Sequence, residues 1–312
     1  MSGSRPLVLV GQPLLAPLLK ILSPFYDAGP LWEDEGARRQ ADAKAIVWAG
    51  EFPLSVALLD AMPQLGLIAC FTVGYDGIDL EEAERRGIAV THGADANAED
   101  VADQAIGLML AHRRAIVEGN RQLRAGLWTA ESDRLTRSMN QARLGIVGMG
   151  HIGLAVARRA EAMRMQIGWW GPRDKPGLPW PRADSLMVLA QESDILLVAA
   201  RADNSNRGMI SADVMDALGP DGLLVNVARG QLVDEEALRQ ALRQGTLGGA
   251  ALDVFQQEPT PANLWKDVPN CVLTPHIGGA TQEAVARMAA MVLANLEAFF
   301  GEKALPNRVN SR

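Results

Sequence analysis

The stretch LGIVGMGHIG, residues 144–153, constrains the fold more than any other part of the chain. A short apolar run leads into Gly148, Gly150 and Gly153, spaced G-x-G-x-x-G. A helix-like stretch follows, then a second apolar run, MQIGWWG. Strand, glycine turn, helix and strand make a βαβ unit, and parallel strands joined by helices share a sheet covered on both faces. In this context the glycines point to a dinucleotide site rather than a plain tight turn. The first glycine permits the sharp turn, the second lets a pyrophosphate approach the backbone, and the third lets helix and strand pack closely. The helix start presents free N–H groups and the positive end of its dipole to the phosphates. His151 fills a variable place in the pattern, and its side chain reads as structural.

Such a unit usually carries an acidic residue about 20 positions further on, where it holds the adenosine ribose and repels a 2′-phosphate. Here that place is Trp169-Trp170-Gly171-Pro172-Arg173, with no acid before Asp174. Arg173 offers a planar, permanently charged donor to a phosphate, and Lys175 adds charge. Asp174 opposes this. The expectation is NADP(H) in preference to NAD(H), with a solvated Arg173 and bound NAD(H) as the competing reading.

The 312 residues suggest about two domains. The chain is 48% hydrophobic and 21% charged, with a formal net charge of -7. It has no run of Lys or Arg that would suit a nucleic acid. Its two cysteines, Cys70 and Cys271, lie in apolar runs and are expected to be buried thiols, not a disulfide or metal site. Prolines at 6, 13 and 17 and Lys20 break up the apolar N-terminus. It reads as a strand and then a helix, not a signal peptide, and no apolar stretch is long enough to span a bilayer. The expected compartment is the cytoplasm.

Apolar runs at 6–11, 43–50, 65–74 and 88–93 alternate with helical segments at 14–22, 55–62 and 80–87. They form a first, smaller α/β unit. Residues 99–126 have apolar positions at helical spacing and no proline, which predicts one long helix between units. A second alternating series starts near residue 141. The amphipathic segment 280–303 is expected to pack back on the first unit.

Open parallel sheets bind ligands at the carboxyl ends of their strands. Arg229 ends LLVNVAR, Glu258 follows AALDVF, and His276 follows CVLTP. Each has a bland reading as a surface or loop residue. Together on one edge they suggest a site for a small anion with proton transfer. Arginine clamps a carboxylate, histidine exchanges a proton near neutral pH, and a neighbouring carboxylate raises its basicity.

Several spaced motifs resemble the D-isomer-specific 2-hydroxyacid dehydrogenases: TVGYDGIDL, EDVADQAIGLML, GIVGMGHIG, VNVARGQLVDEEAL, GGAALDVFQQEP and LTPHIGG, in that order. Within the family the chain is most similar to the glyoxylate/hydroxypyruvate reductase branch, which includes the plant hydroxyphenylpyruvate reductases. The resemblance implies a Rossmann-type doubly wound sheet at 98–284. It also implies a smaller flavodoxin-like substrate domain built from 1–97 and 285–312, with the ligands held in the cleft between. It implies NADPH-dependent reduction of a small 2-oxo acid, glyoxylate or hydroxypyruvate first and a bulkier one second. Arg229 would bind the substrate, His276 would give the proton and Glu258 would pair with His276. Coenzyme contacts would come from Gly148, Gly150, His151, Ile152, Gly153, Arg173, Val227, Arg229, Asp253, His276 and Gly278. The N–H groups of Val73 and Gly74 would bind the substrate carboxylate, with Arg229 and His276. The Gly-Leu-Trp ending at Trp128 resembles a motif near the family's dimer interface, so a homodimer is expected. Alternatives are NAD-dependent oxidation of another small anion (phosphoglycerate, formate or phosphonate), or a non-catalytic dinucleotide sensor. The extra regulatory domain of some phosphoglycerate dehydrogenases is not expected.

Overall fold

The computed structural model describes residues 5–129 and 135–311. The chain divides into two compact units. One combines Met1–Asn97 with Gln282–Arg312, and the other is Ala98–Thr281.

The first unit holds a five-stranded, all-parallel sheet. Its strands are β1 (Leu7–Val10), β2 (Asp27–Pro30), β3 (Ala45–Trp48), β4 (Leu67–Cys70) and β5 (Ala89–Thr91). Their order is β2-β1-β3-β4-β5, the flavodoxin-like arrangement. AIVW and LIAC are buried along their whole length, as strands covered on both faces must be. β2 carries no such signal. Its sequence, DAGP, is polar and Gly/Pro-containing, and it is tolerated because it lies at the sheet edge. The helix Gln282–Phe300 belongs to this unit and buries Met288, Val292 and Leu296 in a common core with Val8, Val47 and Leu67.

The second unit has six parallel strands. They are β6 (Arg143–Val147), β7 (Gln166–Trp170), β8 (Ile195–Val198), β9 (Leu223–Asn226), β10 (Gly249–Leu252) and β11 (Cys271–Leu273). Their order is β11-β10-β9-β8-β6-β7. Beyond β7, among the described residues, a single bridge from Trp169 to Arg182 extends the sheet. The chain reverses its direction of winding between β6 and β8. Ligands of doubly wound sheets bind at this switch point.

The long helix expected over 99–126 is two helices, Ala98–Arg113 and Ile116–Arg124. Ala115 between them is left-handed, with φ 49° and ψ 37°. The first helix buries Val101, Ala105, Leu108 and Met109; among the described residues the second helix buries none of its own. Helical spacing therefore persists past the point where a core supports it. A left-handed alanine, unlike a glycine or proline, leaves no mark in the sequence. Among the described residues no helix is long and apolar enough to cross a membrane. Both cysteines are free thiols. Cys70 is buried and Cys271 only half-buried, and burial pushes each up to about 12.

Candidate active site

At the switch point, Gly148 has φ +95°, and a Cβ there would lie 2.5 Å from the Ala200 Cα and 2.7 Å from its N. No side chain fits between these two strand ends. A Cβ on Gly153 would come within 2.2 Å of the Gly148 carbonyl oxygen. At Gly150 a Cβ would meet no protein atom within 4 Å. The helix His151–Ala162 follows directly, with Gly150 as its N-cap, no side-chain cap and no acid in its first turn. Its leading N–H groups face the open side of the glycine turn, which is the cradle a pyrophosphate needs. His151 is exposed and Ile152 half-buried in that first turn. The residues present fit a dinucleotide.

β7 delivers the next corner. Trp169 is buried and donates its Nε1–H to the Trp180 carbonyl at 3.1 Å. Arg182 stacks over the Trp169 ring at 5.7 Å and donates to the Gly171 carbonyl at 2.7 Å. Arg173 is exposed. Asp174 accepts the Lys175 backbone N–H at 2.8 Å, and among the described contacts it makes no ion pair with Arg173. Lys175 donates its Nζ–H to the carbonyl of Met149 at 2.7 Å, so this loop is tied to the glycine turn.

Three strands of the same sheet edge supply the polar cluster. At the end of β9, the buried Asn226 accepts from the Ala228 N–H and donates to the Arg229 carbonyl, both at 3.0 Å. That side-chain turn fixes the backbone on which Arg229 stands half-buried and seats Val227 in the core. Past β10 stands Asp253, which is 2% exposed. Its carboxylate accepts from the Thr274 hydroxyl at 2.5 Å, the Ile277 N–H at 3.0 Å and the Gly278 N–H at 2.7 Å. A Cβ on Gly278 would lie 2.9 Å from that carboxylate. Past β11, His276 is left-handed at φ 52°, and its N–H donates to the Asp253 carbonyl at 2.8 Å. A non-glycine residue in this region is held there by its surroundings, and here Asp253 supplies them.

His276 and Glu258 meet at 2.6 Å, Nδ1 to Oε2. The other Glu258 oxygen accepts the Phe255 N–H at 2.9 Å. The hydrogen bond to Glu258 holds His276 above its usual range, against burial and the charge of Arg229. Burial pushes Glu258 up, but bonds from His276 and Phe255, with the charges of His276 and Arg229, outweigh it and leave the carboxyl below its usual range. Both shifts favour an imidazolium facing a carboxylate, and Nε2 is the ring nitrogen not committed to Glu258. Arg229 acts electrostatically on both.

In the first unit, the loop after β4 carries Val73 and Gly74. The Thr72 hydroxyl accepts the Gly50 N–H at 2.8 Å and donates to the Gly74 carbonyl at 2.9 Å. His92 Nδ1 lies 3.0 Å from the Val73 carbonyl. With both carbonyls tied, the Val73 and Gly74 N–H groups make no backbone hydrogen bond among the described residues.

The strand-end residues singled out from the sequence therefore stand on one sheet edge with the glycine turn. Asn226, Thr274 and Gln104, which donates to Thr274 at 3.0 Å, were not among them. Asn226 had a signal, a lone amide at the end of the apolar run LLVN. Gln104 sits in an ordinary helical pattern and had none.

Residues 106–278 match the model of the D-isomer specific 2-hydroxyacid dehydrogenase, NAD binding domain. The chain belongs to the D-isomer specific 2-hydroxyacid dehydrogenase family. It is 41% identical over 280 residues to a hydroxyphenylpyruvate reductase of Plectranthus scutellarioides, covering 90% of each chain. It is 42% identical over 263 residues to glyoxylate/hydroxypyruvate reductase A of Arabidopsis thaliana, covering 84% of each. Among solved structures, it superposes with a TM-score of 0.90 and 36% identity on an NADPH-dependent glyoxylate/hydroxypyruvate reductase from Sinorhizobium meliloti in complex with NADP and malonate, covering 98% of this chain and 97% of that one. As a member of this dehydrogenase family, the protein is an NAD(P)-dependent oxidoreductase with a nicotinamide dinucleotide as its cofactor.

Proposed function

We propose that the protein reduces a small 2-oxo acid to the D-2-hydroxy acid with NADPH, with glyoxylate or hydroxypyruvate as the first substrates. The observation that carries this reading is the His276–Glu258 pair, 2.6 Å apart on the sheet edge that bears the glycine turn. A nicotinamide held there would supply a hydride for the substrate carbonyl carbon. Arg229 grips the substrate carboxylate with its fork and stabilises the developing alkoxide. The Val73 and Gly74 N–H groups take part in holding the carboxylate. His276, charged and oriented by Glu258, gives its Nε2 proton to the alkoxide oxygen. Gly148, Gly150, His151, Ile152 and Gly153 would hold the pyrophosphate, and Val227, Asp253 and Gly278 would contact the coenzyme.

Arg173 binds the 2′-phosphate in this reading. Support comes from the missing ribose acid and from Asp174 being engaged elsewhere. A homodimer is proposed because Ile116, Val117, Leu127 and Trp128 are all more than half exposed along one stretch. The cytoplasm is the proposed compartment, in keeping with two unpaired cysteines. A bulkier 2-oxo acid is the second reading, favoured by the similarity to a hydroxyphenylpyruvate reductase. The test is a reductase assay across 2-oxo acids of increasing side-chain size, with NADPH and NADH separately. Turnover of none of them, with the coenzyme bound, would refute the reading and leave oxidation of another small anion or a dinucleotide sensor.

A further inference from the structure

Glu235 opens the helix Glu235–Gln244 and is 5% exposed. It does not cap that helix, because Asp234 does, accepting from the Ala237 N–H at 3.0 Å. Instead one Glu235 oxygen accepts the backbone N–H of Gln256, and the other faces Arg239 at 3.3 Å. Arg239 is itself 8% exposed, pairs with Glu236 at 2.7 Å and lies over the Trp265 ring at 5.5 Å. Trp265 packs edge-on against Phe255 and donates to the Thr260 hydroxyl at 2.9 Å. The segment 255–260 is therefore gripped at both ends, with Glu258 between.

The opposite side of this segment is equally tight. A Cβ on Gly230 would lie 1.9 Å from the Phe255 carbonyl carbon. The Arg229–Gly230 turn thus packs flush against the backbone that Glu235 holds. A buried ion pair is a costly way to stabilise a loop, and an apolar pair of similar volume often does as well. An ionic clamp has the added consequence of fixing a backbone amide in one place.

We propose that Glu235 is a positioning residue of the reaction centre: clamped by Arg239, it holds the Gln256 amide and so fixes Glu258 in the orientation that grips His276. The proposal rests on the reading of Glu258 and His276 as the proton-transfer pair. The charged groups facing Glu258 are His276, Arg229 and Glu235; those facing His276 are Glu258, Arg229 and Asp253. Burial and the charge of Glu258 hold Glu235 above its usual range, against the Gln256 and Arg239 contacts.

The test is Glu235→Ala, Glu235→Asp and Glu235→Gln, read by steady-state kinetics and by NMR titration of the histidine rings. The chain has four histidines, and His276→Asn assigns the signal of interest. Misplacing a catalytic group by about 1 Å costs up to about 100-fold. Glu235→Ala is expected to lower kcat about 10- to 100-fold, leave the KM for NADPH unchanged, and drop the His276 titration towards its ordinary value. Glu235→Asp, which retracts the carboxylate from Gln256, is expected to do the same and stands in if the alanine variant fails to fold. Glu235→Gln keeps an acceptor for the Gln256 amide and should restore most of kcat. An unchanged His276 titration in the alanine or aspartate variant would overturn the proposal, whatever happened to kcat. A wild type that binds NADPH but reduces no 2-oxo acid would instead defeat the catalytic reading, because the titration is read without turnover.

Discussion

Removing the Arg173 guanidinium measures how this site distinguishes two coenzymes that differ by one phosphate. A charge-assisted hydrogen bond contributes roughly 1.5–3 kcal/mol. Arg173 stands exposed, where water screens charge pairs to about 0.2–1 kcal/mol. A bidentate fork on a phosphate is stronger than an ordinary surface pair, so the expected loss is about 1.5 kcal/mol, or roughly tenfold. Arg173→Ala should raise the KM for NADPH by about that factor and leave NADH unchanged. The complementary change is Gly171→Asp. A Cβ there would meet only the Trp169 ring, at 3.6 Å, so the backbone accepts a side chain. The new carboxylate should pair with the ribose hydroxyls, repel the 2′-phosphate and move the preference towards NADH. The assay is kcat/KM for both coenzymes in wild type and both variants. A wild type that uses NADH as well as NADPH, unaltered by Arg173→Ala, would refute the reasoning.

His276→Asn should lower kcat by about 10²–10⁴-fold, the usual worth of general acid catalysis, with coenzyme affinity little changed, as steady-state kinetics and coenzyme titration would show. Arg229→Lys should recover only part of the kcat/KM lost in Arg229→Ala, because lysine lacks the planar fork. Glu258→Gln removes the group that raises His276. Reduction needs the protonated ring, so wild-type activity should fall as pH rises through the elevated His276 value. In the variant that alkaline limb should move to lower pH, which a pH profile of kcat/KM reads directly.

The parallel sheets were legible in the sequence because strands buried on both faces must be apolar throughout, as in AIVW, LIAC and ILLV. The glycine turn was legible because close backbone approach excludes every other residue at Gly148 and Gly153. β2 was not, since an edge strand needs no apolar signature, and neither was the break at Ala115. Strand-end position alone singled out Arg229, Glu258 and His276. The groups that set their orientation were harder to see. The resemblance marks Asp253 only as a coenzyme contact, whereas its hydrogen bonds organise the backbone around His276. Glu235 was hidden because a glutamate at a helix start has an ordinary explanation.

The helix Gln282–Phe300 completes the core of a unit whose other elements lie before residue 98. During synthesis, then, the Ala98–Thr281 unit has its whole sheet available while its neighbour still lacks Met288, Val292 and Leu296. The order of translation and the order of completion are reversed: β1–β5 are made before β6–β11 yet acquire their full packing after them. The early strands must wait with apolar edges unsupported, a state prone to association. Pulse proteolysis of stalled chains ending near residue 281 should find the glycine-turn unit protected and residues 5–97 cleaved. Protection of both would show that the helix Gln282–Phe300 adds stability to a sheet already able to stand alone.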